Sequence, residues 1–131
     1  MIAGVGTDII EIARIAKAIA RTPRLPERIL TPAELPRYQT SKDQPRFLAK
    51  RFAAKEAAAK ALGTGIGRGV SWQHLEIGHN GDGQPQLSLS GGAALRAGQL
   101  GIRRLHLSYS DEKQLVIAFV VAERGPLNEQ D

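Results

Sequence analysis

At 131 residues the chain has the length of one domain, long enough for a proper core and short of two. Apolar residues make up 42% and charged residues 24%, ordinary for a globular protein, and the absence of cysteine excludes disulfides and thiolate metal sites. A net charge of +5 favours an acidic partner, whether nucleic acid, phosphorylated small molecule or acidic protein. No run approaches a membrane span and the N-terminus lacks the pattern of a signal peptide, so a cytoplasmic protein without membrane contact is expected.

Ile2 to Thr7 reads as a first strand, with small residues where something packs close. A dinucleotide-binding reading of Gly4-Val5-Gly6 fails because Ile9 stands where the third glycine belongs. Asp8 has two readings. With Glu11 it forms a capping-box-like start to the next helix, and at a strand-to-helix junction it is equally placed as a metal ligand. From Ile9 to Ala20, Ile12, Ile15, Ala16 and Ile19 make a helical apolar stripe. Arg14, Lys17 and Arg21 form a basic stripe on another side, by pattern alone a solvated face.

The segment from Arg21 to Pro36 holds four prolines and is the least regular. Within it, Thr31-Pro32-Ala33-Glu34 predicts a helix start, with Thr as cap, Pro at the first position and a helix reaching about Thr40. Pro45 then acts as a breaker ahead of an alanine-rich helix running from about Arg46 to Leu62, with Gly63 as its left-handed stop. Phe47, Leu48, Phe52 and Leu62 give that helix a bulky apolar side. Glu56 and Lys60 lie one turn apart on a different side, with Ala49 and Ala53. As a solvated surface pair they would contribute only about 0.3–0.5 kcal/mol. Two features pull the other way: Arg51 and Lys55 are like charges one turn apart, unfavourable unless an anion or acid neutralises them, and the helix runs into the flexible Gly63-Thr64-Gly65-Ile66-Gly67.

The second half reads as strands. Gln73–Gly78 and Pro85–Leu89 alternate around a Gly81-Asp82-Gly83 turn. Ala93 to Leu100 is a short helix between Ser90 as cap and Gly101 as stop. Arg104–Ser110 and Leu115–Ala122 form a second hairpin, and the nearly all-apolar Leu115–Val121 predicts a buried central strand. The tail after Arg124 is polar and expected to fray, which leaves one domain over residues 1–124 and a tail over 125–131. The expected class is α+β, helices against one mostly antiparallel sheet.

Asp8 and Glu56 together suit Mg²⁺, which takes few protein carboxylates and keeps its waters, and Lys60 would then sit beside the same phosphates as a point charge. His74, His79 and His106 form no zinc pattern.

Gly6-Thr7-Asp8-Ile9 followed by Ile12 and Arg14-Ile15, then Arg51-Phe52-Ala53-Ala54-Lys55-Glu56-Ala57 with Lys60-Ala61 and Gly63-Thr64-Gly65, closely resemble the holo-acyl-carrier-protein synthases, the short bacterial-type 4′-phosphopantetheinyl transferases. The likeness covers residues 1 to about 123, and His106-Leu107-Ser108-Tyr109-Ser110-Asp111 with Val116 to Glu123 fits the family's third region. One departure is Asp111, where many members carry a second histidine; Asp111 therefore receives no role.

The resemblance implies transfer of the phosphopantetheine arm of coenzyme A to a serine of apo acyl carrier protein, releasing adenosine 3′,5′-bisphosphate. It implies Asp8 and Glu56 as Mg²⁺ ligands, Lys60 near the pyrophosphate and Glu56 as the group drawing the serine proton. Arg51, Gly63, Thr64, Gly65 and His106 fall where relatives bind the nucleotide end. Arg14, Lys17, Arg21 and Arg24 would steer the acidic carrier, and a homotrimer with sites between subunits is expected. Two rivals remain. A nucleic-acid module fits the charge, but aromatics at 5% offer few stacking platforms. A non-catalytic carrier-docking module would keep the Arg14 stripe yet has no use for Asp8, Glu56 and Lys60 together.

Overall fold

Alanine lets one helix become the centre of the molecule, because a helix without bulk can be approached closely from several sides. In the computed structural model, which describes residues 1–125, the elements are β1 (Ile2–Glu11), α1 (Ile12–Arg21), α2 (Leu25–Ile29), α3 (Leu35–Gln39), α4 (Gln44–Ala61), β2 (Leu75–His79), β3 (Pro85–Leu89), α5 (Gly91–Gln99), β4 (Ile102–Asp111) and β5 (Leu115–Arg124). Apart from residue 125, the tail expected to fray lies outside the described residues.

The helix α4 starts earlier than its sequence suggests. The Asp43 side chain accepts from the Arg46 backbone N–H at 3.2 Å, and Pro45 sits in the first turn, where its missing N–H is harmless, rather than acting as a breaker. Leu62 closes the helix, and Gly63 follows at φ +80°, a left-handed stop that a side chain would strain. Leu48, Ala49, Ala53, Ala54, Ala57, Ala58, Ala59 and Leu62 are all buried.

One wall against α4 is an antiparallel sheet in the order β1-β5-β4, and β2 pairs with β3 in a separate hairpin. The strand β5 is central, as expected, but only one of its faces is covered. Val116, Ala118, Val120 and Ala122 pack inward, whereas Ile117 and Phe119 are 47% and 42% exposed. The outer face continues onto β1, because Ile9 stands opposite Ile117 and Thr7 opposite Phe119.

Three further expectations change. The first strand runs through Asp8 to Glu11, held by pairing with β5 as far as Glu11 opposite Leu115 and by Ile12 N–H to Gln114 O. Asp8 is therefore a strand residue and not an N-cap; that position falls to Glu11, whose side chain makes no cap hydrogen bond. Thr31 does not begin a helix: Thr31 to Glu34 form a turn and α3 starts at Leu35. Glu34 still accepts from the Thr31 N–H, but the Thr31 hydroxyl is drawn away to Glu76 at 2.7 Å. Finally, Trp72–His74 form a single 3-10 turn before β2, so Gln73 and His74 are not strand residues. Among the described residues no helix is long and apolar enough to cross a membrane.

Candidate active site

Closeness of backbone to backbone places the first two groups. On the face of β1 that meets α4, a Cβ at Gly4 would lie 2.1 Å from Ala61 O and one at Gly6 1.9 Å from Ala57 O. Only glycine permits that approach. Two residues further along the same face comes Asp8. Lys60 reaches back along α4 to meet it: Nζ lies 3.0 Å from Asp8 Oδ1 and donates to Thr7 O at 2.9 Å. The Asp8 side chain is 15% exposed and that of Lys60 50%, so the pair sits at the rim of the packed region.

Glu56 is one turn before Lys60 on α4, yet the two do not form the surface pair that their spacing suggests. Lys60 turns to Asp8, and Glu56 Oε2 accepts the indole N–H of Trp72 at 2.9 Å. The structure thus pairs Asp8 with Lys60 where β1 meets α4, and pairs Glu56, one helical turn before Lys60, with Trp72.

Arg51 and Lys55 find the acid their like charges require. Glu34 takes the Lys55 ammonium at 2.7 Å and stands 3.7 Å from Arg51, and its second oxygen accepts the Ile77 N–H. Lys55 is fully buried and also donates to Ile29 O at 2.6 Å and Trp72 O at 3.2 Å. Burial pulls its proton affinity down while Glu34 pulls it back up. Arg51 donates to Ile77 O and is 4% exposed, on the inner wall of a cationic cleft shared with Arg37, Arg46, Lys50, His79 and Tyr109. The group expected at a nucleotide is here first a strut of the core.

The other expected residues are dispersed. Gly63 and Thr64 border a cleft with Arg68, Gly69, Arg96 and Gln99, and Arg96 is tied to Leu62 O at 3.0 Å. Gly65, at φ +64°, closes the helix end through its N–H to Ala59 O. His106 points to the opposite face of the sheet from Asp8: its neighbours on β4 at 105, 107 and 109 are the inward residues, and its Nε2 meets Glu123 at 2.9 Å. A single chain does not bring His106 to the carboxylates. On α1, Arg14, Lys17 and Arg21 are exposed and edge a groove of about 260 Å³ walled by Ile15, Leu25, Ile29, Phe52 and Trp72. Arg24 is engaged with Glu27 at 3.1 Å instead.

Sequence reasoning missed three residues. By pattern Glu34 is only a helix-start residue and Trp72 carries no signal, while Asp111, to which the pattern gives no role, receives the Arg46 guanidinium at 2.8 Å. Arg46 also donates to Glu112 O and Lys113 O and so fixes the β4–β5 turn against α4. The like-charged Arg51 and Lys55 were the one signal that a buried acid such as Glu34 had to exist.

No group of three or more His, Cys, Asp or Glu suited to a metal occurs among the described residues. Carboxylates such as those of Asp8 and Glu56 are of the chemical type that a hard divalent cation takes, with water and phosphate oxygens filling its octahedron.

The sequence profile described as "4'-phosphopantetheinyl transferase superfamily" matches residues 4–120, and the chain belongs to that family. It is similar to the holo-[acyl-carrier-protein] synthase of Shewanella piezotolerans, 55% identical over 130 residues, covering 94% of this chain and 99% of that protein. Among solved structures, the holo-[acyl-carrier-protein] synthase of Neisseria meningitidis superposes with a TM-score of 0.89 at 44% identity, covering 95% of this chain and 100% of that one. The Helicobacter pylori enzyme, solved in complex with coenzyme A, superposes with a TM-score of 0.80 at 33% identity, covering 91% and 99%. The α+β class read from the sequence holds.

Proposed function

We infer that the chain transfers the 4′-phosphopantetheine arm of coenzyme A to a serine hydroxyl of an apo acyl carrier protein, releasing adenosine 3′,5′-bisphosphate. The observation that supports this reading is the Asp8–Lys60 pair where β1 meets α4, with Glu56 one turn before Lys60, in a chain that matches its relatives over nearly its whole length. Phosphoryl attack needs the negative oxygens of the pyrophosphate neutralised and the leaving phosphate stabilised, and Mg²⁺ supplies that chemistry when bound. Asp8 and Glu56 would be its protein ligands. Lys60, bonded to Asp8, adds positive charge beside the same phosphates. Glu56 accepts the serine proton, directly or through a water, because the hydroxyl is a poor nucleophile until that proton has a destination.

The carrier docks along α1. Exposed Arg14, Lys17 and Arg21 draw in an acidic protein, and the apolar groove beside them accepts side chains from its surface. Arg24, paired with Glu27, contributes less. Arg51 acts on the nucleotide indirectly, by holding the cleft it lines, while Gly63, Thr64 and Gly65 shape the loop against which the substrate lies. The assembly is a homotrimer. Val5, Ile9, Ile117 and Phe119 form an apolar outer face, each between 42% and 58% exposed, of the kind that association covers. Association also explains His106, which serves the site of a neighbouring subunit. The setting is the cytoplasm, where coenzyme A and carrier meet.

The reaction is tested by weighing apo acyl carrier protein after incubation with the enzyme, coenzyme A and Mg²⁺, with and without chelator. The expected result is a chelator-sensitive gain of one phosphopantetheine arm, abolished by Asp8→Ala or Glu56→Ala in folded protein. Carrier bound without mass gain would convert the reading to a docking module, and normal turnover by both variants would remove the metal assignment.

A further inference from the structure

The carboxylate Glu56 is held by a residue that the reaction itself does not require. Trp72 opens the 3-10 turn Trp72–His74, and its position is fixed from three directions by groups outside the site. The turn is locked by a reciprocal cap: the Ser71 hydroxyl accepts the Gln73 N–H at 3.1 Å, and the Ser71 N–H donates to His74 Nδ1 at 3.0 Å. The Trp72 carbonyl accepts from the buried Lys55 ammonium, itself anchored on Glu34. The ring leans on Phe52, with centroids 6.1 Å apart. What remains to the indole is its N–H, and that donates to Glu56 Oε2 at 2.9 Å. Glu56 Oε1 makes no hydrogen bond among the described residues.

We propose that Trp72 is a positioning residue for Glu56: its N–H selects one rotamer and one oxygen, leaving Oε1 as the oxygen that would hold the divalent cation. This rests on the reading of Glu56 given above. A half-buried glutamate on a helix still has three torsions to order, and a ligand or base that must first be ordered binds and reacts more weakly. Hydrogen bonds from outside the ligand set supply that order in metal sites, where their removal costs about 10–100-fold in metal affinity or activity. The same bond gives the site an optical readout, because Trp72 is the only tryptophan of the chain.

The test uses the full chain, Trp72→Phe and Glu56→Gln, each checked for fold by circular dichroism and melting. Mn²⁺ is the probe, with coenzyme A present, and its free concentration is read by electron paramagnetic resonance against a protein-free blank. Trp72→Phe keeps an aromatic ring on the side of Phe52 while losing the donor along with the second ring of the indole. It is expected to bind Mn²⁺ about tenfold more weakly and to lose kcat by a similar factor, with the carrier KM within about twofold. Glu56→Gln is expected to lose the protein-bound Mn²⁺. In the wild type, indole emission should change and saturate together with the resonance signal, and Glu56→Gln should abolish that change. If Trp72→Phe matches the wild type in Mn²⁺ affinity and kcat while Glu56→Gln loses both, the positioning role is refuted and the reading of Glu56 stands. A raised carrier KM with Mn²⁺ affinity and kcat intact would also refute it, assigning Trp72 to the docking groove. Wild-type Mn²⁺ binding by Glu56→Gln would remove the metal reading, and the role of Trp72 with it. Should Trp72→Phe fail to fold, the wild-type emission decides alone: an indole indifferent to saturating Mn²⁺ overturns the proposal.

Discussion

Replacing Gly6 by alanine tests the geometry on which the site depends. The added methyl group would stand 1.9 Å from Ala57 O, 2.8 Å from Ala61 N and 2.9 Å from Ala57 C, all rigid helix backbone. Real contacts of this kind begin at about 3 Å, so β1 and α4 must part by roughly 1 Å. Neither partner moves cheaply. The strand is paired with β5 from Ile2 to Glu11, and α4 is buried on nearly all sides. Overpacking a core costs typically about 1–3 kcal/mol, and a clash with backbone on both sides falls at the upper end. For a domain of this size that is a melting temperature lower by about 10 °C. The functional consequence is larger. Asp8 lies two residues on, on the same face, and a shift of about 1 Å in a reacting group can cost on the order of a hundredfold in rate. Calorimetry and single-turnover transfer to apo carrier measure both effects. A Gly6→Ala enzyme with wild-type melting temperature and rate would refute the claim that this contact sets the position of Asp8.

Lys55→Met keeps the volume but deprives the buried Glu34 of its ammonium partner and removes the donor to Ile29 O and Trp72 O; urea denaturation should show a loss of about 3–5 kcal/mol, partly recovered by adding Glu34→Gln. Arg14→Glu should raise the KM for carrier far more than that for coenzyme A in steady-state assays, and equal effects would remove the docking role of α1. Phe119→Glu, on the exposed outer face of β5, should convert the proposed trimer to monomers in sedimentation experiments and lower activity with it; an unchanged assembly would place the subunit interface elsewhere. Burial, then the charges of Arg51, Arg37 and Lys50, hold His79 below its ordinary value of 6.5, so the folded state binds fewer protons than the unfolded one. Its contribution to stability is therefore full above that value and falls as pH drops through it. Melting between about pH 7 and pH 5 should decline more steeply for the wild type than for His79→Gln, and parallel curves would sink the assignment.

Asp8, Glu56 and Lys60 stand out in the sequence through the motifs shared with the holo-acyl-carrier-protein synthases, whereas their spacing alone reads as a cap and a solvated surface pair. Their partners do not stand out. Helix geometry makes Glu56 and Lys60 neighbours, and only the packing of β1 on α4 reveals that Lys60 prefers Asp8 and that Glu56 belongs to Trp72. The capping pattern at Asp8 and Glu11 misled for a related reason: a capping box is a local preference of about 1 kcal/mol, and a full ladder of pairing with β5 outweighs it.

By itself the sequence determined the elements that local physics controls. Alanine content fixes α4, the alternating and apolar runs fix both hairpins, glycine at 63 and 101 ends α4 and α5, and the excess of basic side chains fixes the sign of the partner. Tertiary structure alone decided which charges meet across long separations, that Arg51 is buried beside Glu34, and that His106 faces away from Asp8. It also decided that β5, apolar from Leu115 to Ala122, is covered on only one face within the chain. A side chain's period along a strand or helix is set by its own backbone. Which neighbour it finds is set by the relative placement of whole elements, and that depends on every contact between them at once.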